Sequence, residues 1–341
     1  MTRPLRSLGF LTIGLFDREN PRAGHEATLA IIERAESLGF DSAWLRDRHL
    51  QYGISSPVAV LAAASQRTSR IRLGTAVIPL GFENPFRLAE DLATVDVLTG
   101  GRLEPGFSVG PPRRLDEIGS ALYPGTVEHE DFGYERLARL RGFLAGDRVS
   151  AFAGREGIEE YSERIEPHSP GLADRLWYGA GSPASTTWAA ENGFHLLTSS
   201  VIQSVDTTDF DTEQHTQIRL YRDRHPDGES ARVSQGLVVI PTDSATPEQR
   251  ERYSAYAAAR SARVGIPQGP RGMLFAADIV GTSEEIADRL RSSAAFPEVD
   301  EVAFALPFDF APDDYAQILD DLAGRLGPLL GWSPSAQSDV T

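Results

Sequence analysis

The chain has 341 residues, of which 41% are hydrophobic and 24% charged, proportions typical of a globular protein with a large core. Its 33 basic and 49 acidic residues give a formal net charge of −16, which disfavours nucleic acid and anionic membranes as partners. The absence of cysteine excludes disulfides, thiolate metal ligands and a catalytic thiol. No apolar run approaches the roughly 20 residues that span a bilayer, and the first ten residues lack a signal-like apolar core. We therefore expect a cytoplasmic protein.

The first part of the sequence repeats a strand followed by a helix about every thirty residues. Strands are predicted at residues 8–16, 40–45, 70–80 and 102–110, and helices at 25–40, 55–68 and 83–101. In the stretch 25–40, Ile31 and Ala35 lie on one apolar face of the predicted helix. Gly39 follows its last turn as the C′ residue, a position where glycine is common. This spacing is typical of parallel strands joined by helical crossovers. An open doubly wound sheet and a closed barrel both fit it.

Residues 123–172 interrupt this rhythm with a helix and a long polar stretch. We interpret them as an insertion after the fourth strand, and a surface excursion and an active-site lid explain it equally well. The pattern then resumes, with strands at 175–181, 194–200, 233–241 and 298–308 and helices at 184–193, 212–225, from 247, and at 281–293. Eight strands with intervening helices favour an α/β fold of the (β/α)₈ TIM barrel type. We expect one domain over 1–341, an irregular stretch at 264–279 and a flexible tail at 331–341.

In such barrels the functional residues lie at the C-terminal ends of the strands. After the second strand come Asp47, Arg48 and His49. Histidine suits general acid or base work and hydrogen bonding to an oxyanion. An ion pair that fixes the loop is the alternative explanation for these three residues.

Two further strand ends are candidate parts of a pocket. Ala76 and Val77 end the third strand, where small residues let a flat ring approach the backbone. Val109 and Gly110 follow the fourth strand and precede two prolines, so a rigid turn with few free N–H groups is expected to border the pocket.

The segment after the fifth strand contains Gly181, Ser182 and Ser185 and leads directly into a helix. Amides at a helix N-terminus and two hydroxyls suit a phosphate group. The same residues also fit an ordinary N-cap with Pro183 in the first turn. Both interpretations stay open at this point.

Several common enzyme classes are disfavoured. The sequence lacks the P-loop, the serine-hydrolase elbow and the HExxH zinc motif. Its seven histidines are scattered without a metal-like pair, so no metal site is predicted. No GxGxxG follows the first strand, which argues against a built-in dinucleotide domain.

Residues 33–49, 64–103, 179–193 and 281–291, taken together and in this order, resemble the bacterial luciferase-like flavin monooxygenase family. The resemblance implies a barrel that binds FMN, or in some branches a deazaflavin coenzyme, at the strand C-termini. It implies that Gly181, Ser182 and Ser185 hold the phosphate. The flavin ring would lie at the end of the third strand, with a cis bond matching Ala76–Val77. A homodimer is also implied.

Two positions depart from the family pattern. Arg48 stands where the family has the histidine usually given a catalytic role, and Val109 stands where the luciferases have a phosphate-binding arginine. An arginine cannot act as a general base, although it can bind an anionic substrate or a negatively charged reduced flavin.

We therefore predict the oxygenase component of a two-component system, which uses O₂ and reduced FMN from a separate flavin reductase on a small-molecule substrate. The alternatives are a deazaflavin-dependent hydride-transfer oxidoreductase and a non-catalytic flavin-binding protein or partner subunit. The replacement of a histidine by Arg48 is the reason for keeping the last of these.

Overall fold

The computed structural model describes residues 4–334. Within that range the strands are β1 (Ser7–Thr12), β2 (Ser42–Leu45), β3 (Arg72–Thr75), β4 (Ile78–Pro79), β5 (Leu103–Glu104), β6 (Gly106–Ser108), β7 (Gly154–Glu156), β8 (Glu159–Tyr161), β9 (Trp177–Gly179), β10 (His195–Thr198), β11 (Val201–Gln203), β12 (Val233–Gln235), β13 (Val239–Pro241), β14 (Met273–Phe275), β15 (Ile279–Gly281) and β16 (Glu301–Ala305). The α-helices are α1 (Pro21–Ser37), α2 (Pro57–Ser65), α3 (Pro85–Thr99), α4 (Leu115–Leu122), α5 (Tyr134–Ala145), α6 (Pro183–Glu191), α7 (Phe210–Arg224), α8 (Pro247–Ser261), α9 (Ser283–Arg291), α10 (Pro312–Asp321) and α11 (Gly327–Leu329).

The main sheet closes into a parallel barrel. Its strand order is β4-β6-β9-β10-β12-β16-β1-β2-β3-β5. β4 follows β3 after two residues and β6 follows β5 after Pro105, so each pair forms one interrupted barrel strand. The ends of the sheet are therefore neighbours, since β3 pairs with β5 and β4 pairs with β6. This arrangement confirms the predicted eight-stranded TIM barrel.

The helices pack around the barrel for reasons that are visible in the sequence. In α3 the Asn84 side chain accepts hydrogen bonds from two first-turn amides and Pro85 takes the first helical position. Leu88 and Leu92 are buried against the sheet. Gly100, at φ +69°, ends the helix in the left-handed conformation that favours glycine.

The predicted insertion between the fourth and fifth barrel strands has two unlike parts. Helix α5 belongs to the outer ring of helices, because it packs against α3 and its Tyr134 ring stacks on Trp188 of α6 at 4.1 Å. The β7 and β8 hairpin, by contrast, is fully exposed.

Two of the predictions need correction. Residues 264–279 are not wholly irregular, because β14 lies there and pairs antiparallel with β11. The predicted flexible tail begins too early: Trp332 is 2% exposed, and its indole N–H donates to Asp41 Oδ2 at 2.7 Å. Residues 335–341 of that tail lie outside the described residues.

Candidate active site

The N-terminal end of the barrel interior is closed by charged side chains. Glu104 is 2% exposed and accepts hydrogen bonds from Arg72 at 2.9 Å and Arg232 at 3.0 Å. Burial by itself would raise the pKa of the Glu104 carboxyl, but the two guanidinium groups outweigh it and hold the pKa below its usual value. The Glu104 carboxylate therefore stays ionised and seals the end opposite the strand C-termini.

Two tryptophans fill the barrel at mid-height. The rings of Trp44 and Trp177 meet edge to face with centroids 5.4 Å apart, a favourable geometry for aromatic pairs. Gly74 leaves room for them, because a Cβ there would lie 2.3 Å from Trp44 Cε3. A ligand that enters the barrel must therefore bind above these rings, at the C-terminal ends of the strands.

The layer above the tryptophans is lined by small residues. Side chains alternate along a strand, so the next inward positions lie two residues beyond those of the tryptophan layer. Five of these positions are partly exposed and small, namely Ala76, Ser108, Gly179, Gly236 and Ala305, while Arg46 occupies the position above Trp44. A shallow space with little side-chain volume results over the five small residues.

The peptide bond between Ala76 and Val77 is cis, which confirms the expectation from the family resemblance. It lies between β3 and β4, at the edge of the small-residue layer. A Cβ on Gly179 would lie 2.9 Å from Val77 Cγ1, so the valine side chain packs closely on the backbone at position 179. These two candidate residues are thus brought beside the strand that leads to Gly181.

Asp47 and His49 come together at the mouth with Glu83, which the sequence analysis did not identify. His49 Nε2 lies 3.3 Å from Asp47 Oδ2, and the His49 ring stacks on Phe82 at 3.8 Å. Both Asp47 oxygens and His49 Nε2 are buried without a hydrogen-bond partner among the described residues. Buried polar atoms are rarely left unpartnered, so this cluster is a candidate functional site.

Glu83 completes this cluster. Burial raises the pKa of its carboxyl and the Asp47 charge raises it further, although His49 opposes them. Ligand atoms of Asp47, His49 and Glu83 all lie within 4.8 Å of one another. Such a group can share a proton, and its donor set also suits a divalent cation, whereas the sequence analysis predicted no metal site. Glu83 lies two residues before α3, and only the folded chain brings it beside Asp47 and His49.

Arg136 is a second residue that the sequence analysis missed. It lies in α5, is 3% exposed, and donates to the carbonyl oxygen of Glu83 at 2.8 Å and to the hydroxyl of Tyr123 at 2.7 Å. The Tyr123 hydroxyl in turn donates to the Gly81 carbonyl at 2.8 Å. The insertion therefore holds the loop that carries Phe82 and Glu83.

Ser182 and Ser185 form a capping box at the start of α6. Ser182 Oγ accepts from the Ser185 amide at 3.3 Å, Ser185 Oγ accepts from the Ser182 amide at 3.1 Å, and the two hydroxyls are 2.9 Å apart. The N-cap interpretation is thus confirmed. Phosphate binding there would require the hydroxyls to turn outward. Gly181 adds open space, because the nearest atom to a Cβ built on it is Met273 Cε at 3.9 Å.

Val109 and Gly110 border the mouth on the side of the insertion. Val109 is half-buried against the outer core. The amide of Gly110 donates to the Phe132 carbonyl at 2.8 Å, and its φ of +127° favours glycine. The predicted turn is therefore held by the insertion, and it lies beside Gly81, where a Cβ would be 2.4 Å from the Gly110 carbonyl oxygen.

The family model described as luciferase-like monooxygenase matches residues 8–297. The chain belongs to this family. The match covers all of the strands that form the barrel mouth except β16, and every candidate residue named above lies inside it.

Named relatives in this family include both monooxygenases and deazaflavin enzymes. A 4-hydroxyprotoasukamycin monooxygenase of Streptomyces nodosus subsp. asukaensis is 37% identical over 174 residues, which cover 50% of this chain and 44% of that protein. An F420-dependent glucose-6-phosphate dehydrogenase of Kribbella flavida is 28% identical over 253 residues, which cover 64% of this chain and 73% of that protein. The chain thus spans less than half the length of the first relative.

Solved structures of the family share the fold. The oxygenating constituent of 3,6-diketocamphane monooxygenase from Pseudomonas putida, in complex with FMN, superposes with a TM-score of 0.63 and 15% identity. The superposition covers 96% of this chain and 98% of that one.

In residues 4–334, no helix combines the length and apolarity needed to cross a membrane.

Proposed function

We propose that this chain is a flavin-dependent oxidoreductase, namely the oxygenase component of a two-component system that acts on a small organic molecule with O₂. The observation that carries the proposal is the small-residue layer above Trp44 and Trp177, an open floor at the C-terminal ends of the strands. A flat ring fits over the five small residues of this layer, because they leave little side-chain volume there.

The residues around this floor fit reduced FMN. Ala76, Val77 and Gly179 would contact the ring, while Gly181, Ser182 and Ser185 would hold the phosphate through amides and hydroxyls at the start of α6. Val109 and Gly110 would border the ring from the fourth strand. Bound reduced FMN would supply the electrons that activate oxygen.

Asp47, His49 and Glu83 would hold and transfer protons beside the ring. Histidine side chains suit general acid and base work, and His49 Nε2 lies 3.3 Å from Asp47 Oδ2. Burial and the Asp47 charge raise the pKa of the Glu83 carboxyl, so this carboxyl holds a proton to higher pH than an exposed glutamate does. Arg48 supplies a fixed positive charge and no proton transfer.

Partners follow from the same proposal. A separate flavin reductase would supply reduced FMN, since no dinucleotide motif follows the first strand. The protein would act in the cytoplasm as a homodimer, and light scattering measures the dimer directly.

The second candidate is hydride transfer with a deazaflavin. The match to an F420-dependent dehydrogenase, which covers 73% of that protein, favours it. The same barrel mouth would serve, without oxygen. A non-catalytic flavin-binding protein or partner subunit is the third, because Arg48 replaces the usual histidine.

The test is a titration of the purified protein with oxidised FMN, with reduced FMN under anaerobic conditions and with F420, followed by ligand fluorescence or absorbance. Saturable binding of reduced FMN, weakened in Ser182→Ala and Ser185→Ala, supports the flavin enzyme. Thr246→Ala is the matched control, because Thr246 forms the same capping box with Gln249 on α8. The two N-cap changes, Ser182→Ala and Thr246→Ala, should each cost about 1 kcal/mol of stability. Only the serine changes should weaken the binding of FMN.

Selective binding of F420 would transfer the proposal to the deazaflavin enzyme. Binding of FMN without any change in its reaction with oxygen would support the non-catalytic role. Failure of every flavin to bind would overturn the proposed function.

A further inference from the structure

Two arginines at the barrel mouth make no ion pair. Arg46 and Arg48 are half-buried, and within residues 4–334 neither guanidinium group makes a hydrogen bond or has a carboxylate oxygen within 4.0 Å, although the Asp47 charge attracts Arg48. Several other half-buried arginines are ion-paired, as in Arg232 with Glu301 at 2.7 Å and Arg260 with Asp278 at 2.5 Å, while Arg263 has no ion pair and lies over the Phe275 ring. Unpaired arginines in a partly buried site therefore require an explanation.

Arg46 points into the barrel. Its amide donates to the Thr12 carbonyl at 2.9 Å, so strand geometry continues past the end of β2. Along this strand Trp44 belongs to the inner cluster and Leu45 to the outer core. Since side chains alternate, Arg46 faces inward one layer above Trp44. It is the one charged residue at the inward positions of that layer identified above.

Arg48 and Arg113 lie near it. The Arg48 amide donates to the Ile54 carbonyl at 2.7 Å and closes a short loop over the mouth. Arg113 follows Pro111 and Pro112 in the loop after β6. Burial, and then repulsion by Arg48 and Arg113, lower the pKa of Arg46 to about 10. Arg46 and Arg48 are half-buried and Arg113 is exposed. A bound anion between these like charges would remove their repulsion.

The positions of Arg46 and Arg48 separate them from the proposed phosphate site, whereas Arg113 follows the fourth barrel strand, which is next to the fifth. Arg46 and Arg48 follow the second barrel strand, whereas Ser182 and Ser185 follow the fifth. In a closed ring of eight strands these positions are three strands apart, almost on opposite sides of the mouth. The Arg48 and Arg46 charges would therefore face the substrate side of a ring whose phosphate lies at α6.

We propose that Arg46, Arg48 and Arg113 form a binding site for the acid group of an organic substrate, a carboxylate, sulfonate or phosphonate. Guanidinium groups bind such oxyanions through paired, charge-assisted hydrogen bonds. This inference rests on the proposed function, since it assigns the substrate class of the same barrel mouth. Asp47 lies between Arg46 and Arg48 in the chain but contacts His49 and lies near Glu83. Repulsion by these two carboxylates would keep the acid group on the arginine side.

The test measures binding of four probes of equal chain length, hexanoate, hexanesulfonate, hexylphosphonate and hexanol, by calorimetry and by the fluorescence of the tryptophans. Each titration is done with and without bound FMN. We expect at least one oxyanion to bind saturably and hexanol to bind roughly tenfold more weakly or worse. Added salt should weaken the binding of the oxyanion. Equal binding of hexanol, or no oxyanion binding in either state, would overturn the inference.

Arg46→Met, Arg48→Met and Arg113→Met test the residues, and Arg139→Met is the control because Arg139 is exposed on α5. Arg46→Met should weaken oxyanion binding about tenfold or more, and the control should leave that binding unchanged. Arg46→Met should fold at least as stably as the wild type, because it removes an unpaired charge. Binding that is unaffected by all three changes contradicts the proposal.

Two outcomes distinguish this inference from the proposed function. Oxyanion binding in a protein that binds no flavin would leave the arginine site standing and remove the flavin enzyme. Weakening of FMN but not of riboflavin in Arg46→Met would instead assign the arginines to the flavin phosphate and overturn the inference.

Discussion

Arg136 Nη1 donates a hydrogen bond of 2.8 Å to the carbonyl oxygen of Glu83, a residue 53 positions earlier in the chain. One residue therefore connects the helix in the insertion with the loop beside the candidate active site. The same guanidinium contacts the Leu80 carbonyl at 3.3 Å and the Asp131 carbonyl at 2.7 Å. The insertion is thus part of the framework that fixes Phe82 and Glu83, and through Phe82 the stacked His49 ring.

Arg136→Met should destabilise the protein by about 2–4 kcal/mol, because several buried carbonyl oxygens and the Glu130 carboxylate lose their donor. Urea unfolding measures this change. Arg139→Met, on the exposed face of the same helix, should change stability by less than about 0.5 kcal/mol. Equal effects of the two changes would contradict the role assigned to Arg136.

Gly74→Ala should destabilise the protein by about 1–3 kcal/mol, because a Cβ there lies 2.3 Å from Trp44 Cε3 and forces the indole to move. The near-ultraviolet circular dichroism of the tryptophans should change with it. Gly324→Ala is the control, since nothing lies within 4 Å of its Cβ position. A Gly74→Ala protein as stable as the control would show that the barrel interior is looser than described.

Glu104→Gln should cost about 3–5 kcal/mol near neutral pH, because it removes the buried carboxylate between Arg72 and Arg232. The folded-state pKa of Glu104 is lowered, so its contribution is present above the unfolded value of about 4.3 and is lost as the pH falls through the folded-state pKa. Unfolding free energies between pH 3 and 7 should therefore converge for the wild type and the variant in acid.

The exposed pair of Arg114 and Glu117 provides the comparison for that measurement. Arg114 Nη2 and Glu117 Oε2 are 2.7 Å apart, but the Glu117 side chain is 53% exposed. Glu117→Gln should change stability by less than about 1 kcal/mol. If Glu104→Gln changes stability equally little, the charged network does not stabilise the N-terminal end of the barrel.

Glu83→Gln should stabilise the protein at neutral pH. The pKa of Glu83 is raised in the folded state by burial and by Asp47, so the folded protein binds more protons than the unfolded one between the two pKa values. Wild-type stability then falls as the pH rises through that interval and levels off above the folded-state pKa. The difference from Glu83→Gln should appear in the same interval, and a pH-independent difference would contradict the assignment.

The order of elements and the identity of the barrel followed from the sequence. The barrel strands are short, mostly apolar runs, several helices carry a start signal such as Asn84 with Pro85, and the thirty-residue spacing leaves few topologies. Those signals are local, so they are readable along the chain. The Ser182 capping box and Asp47 with His49 were visible for the same reason.

The composition of the site was decided by tertiary structure. Glu83, Arg136 and Arg113 come from three different segments, and nothing in their own neighbourhoods in the sequence distinguishes them from exposed charged residues. Barrel closure and the insertion bury Glu83 and Arg136 and bring the exposed Arg113 near Arg46. The inward orientation of Arg46 likewise depends on β2 continuing its pairing with β1 for one more residue, which is a property of the assembled sheet and not of the chain alone.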